Sequence, residues 1–152
     1  MNRMQRIALA TLLALTLGGC AAQRTARRGA PEFLAAPSEP ERPFSPAVRA
    51  NGFLFLAGQI GTDSTGRLVP GGIQTETRQA MENIRAVLAR SGSSFDRVVK
   101  CTVFLADMGE WGAMNEVYVT FFATGRRPAR SALGTNGLAL GARVEIECLA
   151  AE

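Results

Sequence analysis

From residue 44 onward the apolar positions change period several times, and each change marks an element. Phe53-Leu54-Phe55-Leu56-Ala57 is a continuous apolar run between Asn51-Gly52 and Gly58, which reads as a buried strand entered through a tight turn. Turn chemistry follows in Asp63-Ser64-Thr65-Gly66 and Pro70-Gly71-Gly72. Ile73, Thr77, Ala80, Met81, Ile84 and Leu88 then fall on one helical face, with Glu76, Arg78, Glu82 and Arg85 expected to face water and Gly92 to close the helix. Phe95–Leu105 is β-rich and long enough for a central strand, broken by Asp107 and Gly109. Trp111, Met114, Val117, Tyr118 and Phe121 predict a second amphipathic helix over 110–122. Two short strands close the chain, Arg130–Gly134 and Val144–Ala150. In the second, Val144, Ile146 and Cys148 alternate with Glu145 and Glu147. The order β-β-α-β-α-β-β predicts one α+β domain, a single-layer sheet with two helices on one face.

The first 43 residues follow another logic. Arg3 and Arg6 precede an apolar run from Ile7 to Leu17, and Leu17-Gly18-Gly19-Cys20 follows. The run is too short to span a hydrocarbon core that needs about 20 residues, and it fits the core of a secretory signal. Its ending resembles a bacterial lipobox, in which cleavage leaves Cys20 as the lipid-bearing N-terminus. An ordinary signal peptide and an uncleaved anchor are the alternatives. Residues 20–43 then read as a disordered or extended tether, rich in Pro and Arg, which cannot bury enough apolar surface to offset its ordering entropy. The expected organisation is a signal peptide over 1–19, a lipidated cysteine and tether over 20–43, and a domain over 44–152. Such a protein would be exported and held on a membrane by lipid at Cys20, facing the periplasm or the cell exterior.

Charge adds one exclusion. The net charge of +4 comes from 17 basic and 13 acidic residues, but five of the arginines lie within the first 28 positions. The remainder is close to neutral, which argues against a nucleic-acid partner. There is no histidine, so the usual imidazole-based nucleophile and metal designs are absent. Cys20, Cys101 and Cys148 are too scattered for a metal knuckle, and no metal or cofactor is expected. Cys101 and Cys148 fall on predicted core faces. Buried reduced thiols are the first expectation there. A disulfide is open to them only in an oxidising compartment and with Cα atoms within about 7 Å.

Several stretches together resemble the RidA/YjgF family. They are Gln79-Ala80-Met81-Glu82-Asn83-Ile84-Arg85-Ala86-Val87-Leu88, Thr102-Val103-Phe104-Leu105-Ala106-Asp107-Met108, Met114-Asn115-Glu116-Val117-Tyr118, and Pro128-Ala129-Arg130-Ser131 followed by Glu145-Ile146-Glu147. The resemblance covers residues 44–150 in order. It implies a chorismate-mutase-like fold, a homotrimer with ligand sites in clefts between subunits, and hydrolysis of reactive imines and enamines of 2-amino acids to 2-oxo acids and ammonia.

On that resemblance Arg130 is the candidate receptor for a substrate carboxylate, since a planar guanidinium grips a carboxylate through two parallel hydrogen bonds. Glu145 is the candidate base for the attacking water. Gly58, Ala132, Phe44 and Asn115 complete the candidate binding set. Two departures bear on chemistry. Phe44 stands where family members usually carry tyrosine, and Ala57 where they usually carry serine, so two hydroxyls are missing from the expected pocket. Hence two readings compete: an imine deaminase, and a membrane-tethered module that binds a small carboxylate without catalysis. An RNA-cleaving activity is a weak third, for want of histidine and of a basic stripe.

Overall fold

The computed structural model describes residues 29–35 and 43–152. The expected signal peptide, Cys20 and most of the expected tether lie outside the described residues. Among the described residues seven strands and two α-helices follow one another: β1 (Glu32–Leu34), β2 (Ala47–Ala50), β3 (Phe53–Leu56), β4 (Gln59–Ile60), α1 (Gly72–Arg90), β5 (Val98–Leu105), α2 (Trp111–Tyr118), β6 (Ala129–Gly134) and β7 (Val144–Ala151). The strands make one sheet in the order β1-β2-β3-β7-β5-β6, with β4 also pairing β7. Only β5 and β6 run parallel, and α2 provides their crossover. This is the expected α+β arrangement.

Local chemistry sets the turns. Asn51 (φ 52°) and Gly52 (φ 80°) both take left-handed backbone, the pairing a two-residue hairpin requires between β2 and β3. Gly92 (φ 72°) ends α1, where its N–H donates to Ala89 O at 3.0 Å and the Ser93 N–H donates to Leu88 O at 2.8 Å. The core lies between the helices and one sheet face, where Met81, Ile84 and Leu88 of α1 meet Val103, Leu105, Val144 and Ile146, all fully buried.

Five expectations change. The run Phe53–Leu56 is not buried on both sides: Leu54 and Leu56 enter the core, whereas Phe53 and Phe55 are 39% and 48% exposed on the face that, among the described residues, carries no helix. Glu76, expected in water, is buried, and its carboxylate accepts the Arg143 backbone N–H at 2.8 Å. Trp111, expected in the core, is 44% exposed at the start of α2. Part of the tether is structured, since Glu32–Leu34 pairs with β2 and Arg49 ties Glu32 to Glu152. The domain therefore begins before residue 44.

The fifth change concerns the thiols. Cys101 and Cys148 are not reduced but form a disulfide, with Cα atoms 4.1 Å apart. They are directly opposed partners on the neighbouring strands β5 and β7, and both face the core. The pairing register brings the thiols together.

Candidate active site

Arg130 is the second residue of edge strand β6, and Cys101 on β5 is its register partner. Partners across a ladder share a face, so Arg130 stands on the helix side of the sheet, beside α2. There its guanidinium is held by three side chains. Nη1 donates to Asn115 Oδ1 at 2.5 Å, and Cζ lies 4.8 Å from the Tyr118 ring and 5.8 Å from the Trp111 ring. Positions 111, 115 and 118 follow helical spacing, so one face of α2 forms the cradle. Among the described residues no carboxylate pairs with this half-buried cation. Ala132 follows on the same side of β6, half-buried and in register with Val103.

The Tyr118 hydroxyl near Arg130 is buried and has no hydrogen-bond partner among the described residues. Burial pushes its phenol up to about 12, with the Arg130 charge pulling weakly the other way.

Glu145 occupies a different place. It is half-buried on β7, in register with Phe104 on β5 and Ile60 on β4, and so points to the face without helices. Its carboxylate lies against Gly58, where β3 gives way to β4 along β7. A Cβ added to Gly58 would come within 2.0 Å of Glu145 Oε1, so only glycine leaves room for this placement. The Ala57 N–H donates to Pro46 O at 3.0 Å, which brings the segment carrying exposed Phe44 alongside.

The predicted residues thus fall into two groups on opposite faces of the sheet: Arg130, Asn115 and Ala132 on one, Glu145 and Gly58 on the other, with the Phe44 segment beside Gly58. One chain does not bring Arg130 and Glu145 together. Trp111 and Tyr118 were missed as neighbours of Arg130, although their spacing from Asn115 was the available signal. A hollow of about 350 Å³ between α1 and the 62–66 turn contains neither group. Several of its polar side chains are already engaged, Asn83 on Ile60 O and Thr62 O, and Asp63 on the Thr65 N–H. It is therefore a poorer candidate than the half-buried guanidinium.

Fold and cradle define a small α+β domain that presents an oriented guanidinium at a sheet edge. The comparisons agree. Residues 34–152 match the family model described as Endoribonuclease L-PSP, so the chain belongs to that family, the RidA/YjgF family. It is 45% identical over 111 residues to the mouse 2-iminobutanoate/2-iminopropanoate deaminase, an alignment spanning 72% of this chain and 82% of that one. The crystal structure of YyfA of the Rid family from Yersinia pestis superposes with a TM-score of 0.75 at 36% identity, covering 81% of this chain and all (100%) of that one. Escherichia coli TdcF with bound serine matches with a TM-score of 0.69 at 30% identity, over 74% and 91% of the two chains.

Proposed function

We propose that the protein hydrolyses reactive 2-imino and enamino acids to 2-oxo acids and ammonia, in a cleft where Arg130 of one copy faces Glu145 of another. The observation that carries this reading is a half-buried guanidinium with its fork oriented by Asn115 and, among the described residues, no carboxylate upon it. A substrate carboxylate supplies the missing charge through two parallel hydrogen bonds. The relatives named as imine deaminases support the reaction, and the serine in TdcF supports a small amino-acid-like ligand. Self-association has its own support. Phe33, Phe53, Phe55 and Leu133 are all exposed on the sheet face without helices, the face from which Glu145 projects. A trimer closed over that face completes the two half-sites.

In the reaction, the carboxylate docks on Arg130 and sets the adjacent C=N carbon beside a water on Glu145. Glu145 takes a proton as the water oxygen bonds to that carbon. Glu145 returns that proton to the nitrogen, giving a carbinolamine; the hydroxyl proton then passes to the nitrogen through the same carboxylate as the C–N bond breaks, the C=O forms and ammonia leaves. The test feeds the purified protein with imino acids freshly made by an amino-acid oxidase and follows ammonia release above the uncatalysed rate. Arg130→Ala and Glu145→Gln should each abolish the acceleration. Wild-type protein that binds 2-oxo acids but gives no acceleration favours the binding module, which the missing hydroxyls at Phe44 and Ala57 motivate.

Export and lipidation at Cys20 belong to the same proposal. They are supported by the Ile7–Leu17 run with its Gly-Gly-Cys ending and by the Cys101–Cys148 disulfide, a bond that persists in oxidising compartments. Cys20→Ala should move the protein from the membrane fraction to the soluble one, and unchanged partitioning would refute lipid anchoring.

A further inference from the structure

The guanidinium cradle leaves one wall unused. Asn115 is committed to Arg130 and the Tyr118 ring is buried, but Trp111 keeps 44% of its surface open while its ring sits 5.8 Å from Arg130 Cζ. Beyond it Met108 is 46% exposed and packs over the far end of β6, where a Cβ on Gly134 would approach Met108 Cγ to 2.9 Å. Between Arg130 and Gly134 the helix side of β6 offers only the methyl of Ala132. The helix side of β6 thus carries a cation at one end and the methyl of Ala132 beyond it, with exposed apolar side chains near both ends, Trp111 beside Arg130 and Met108 over Gly134.

We propose that these groups line a channel that selects the ligand's side chain: with the carboxylate on Arg130, the substituent on the neighbouring carbon runs over Ala132 and lies against Trp111, so branched or flat apolar acids are preferred to small ones. The proposal rests on the carboxylate-docking role of Arg130 and adds the substrate class. The physical basis is burial of apolar surface, which is worth about fourfold in affinity per fully covered methylene. A half-covered branched chain therefore gains on the order of tenfold over a methyl group. An exposed indole beside a fixed cation costs its own fold some hydration, which such a ligand recovers.

Calorimetric titration of the whole protein with the 2-oxo acids of alanine and of leucine tests this without turnover. Wild type should bind the leucine-derived acid about tenfold more tightly. Trp111→Ala should reduce that preference to less than about threefold, and Trp111→Phe should keep most of it. Because Trp111 is the chain's one tryptophan, quenching of wild-type fluorescence reports occupancy of this wall. Equal weakening of both acids in Trp111→Ala would reduce the indole to a positioning residue for Arg130 and overturn the proposal, as would an unchanged preference. Binding with the expected preference but no hydrolysis leaves this inference standing and removes the deaminase reading. Failure to bind either acid removes both.

Discussion

Gly58 offers a sharp test of the Glu145 assignment, because replacing it with alanine moves one carboxylate and little else. Its φ lies outside the left-handed region, so alanine fits the backbone. The new methyl, however, would lie 2.0 Å from Glu145 Oε1 and 2.9 Å from Cδ. Restoring an ordinary contact requires the carboxylate to retreat by roughly 1.4 Å, a displacement that costs on the order of a hundredfold in rate when the group must align a water. The atoms displaced are the end of a flexible, half-buried side chain, so the expected stability change is within about 1 kcal/mol. Gly61→Ala is the control: there the methyl meets the α1 backbone, 2.7 Å from Glu76 Cα, and should cost about 1–3 kcal/mol. The assay is kcat and KM for imino-acid hydrolysis beside urea unfolding of each variant. A Gly58→Ala protein with wild-type kcat would refute the role given to Glu145. One destabilised as severely as Gly61→Ala would show that the backbone had moved.

The Cys101–Cys148 bridge closes a loop of sequence separation 47, for which chain entropy gives about 4 kcal/mol of stabilisation; adding a thiol reductant should lower the urea midpoint, and an unmoved midpoint would remove the staple. Tyr118 carries a buried hydroxyl without a partner among the described residues, so Tyr118→Phe should be neutral or stabilising by about 1 kcal/mol. Its phenol, held at about 12 when folded against about 10 when unfolded, contributes stability that is full below pH 10 and is lost as pH rises towards 12, roughly 3 kcal/mol in all. As it is the chain's one tyrosine, native tyrosinate absorbance reads it directly, and a midpoint near 10 would contradict the burial argument.

Much of this was legible in the sequence, because period and punctuation are local. Steps of three and four located α1 and α2, Gly92 ended the first helix, and the alternation in Val144–Ala151 placed Ile146 and Cys148 inward and Glu145 outward. The resemblance selected Arg130, and the fold gives it a cradle. What stayed hidden depended on neighbours that the chain reaches only by folding. An apolar run such as Phe53–Leu56 does not say whether helices cover one face of its sheet or both, and here they cover one. Glu76 is buried because it meets an orphan N–H at Arg143, 67 positions away. The disulfide follows from the register of β5 against β7, which no spacing between cysteines encodes. Arg130 and Glu145 lie on opposite faces because each takes the parity of its partner on β5, Cys101 for one and Phe104 for the other. The sequence by itself determined which residues carry the charge. Only the tertiary structure decided that these charges leave the sheet on opposite sides, since strand pairing fixes the direction of every side chain at once.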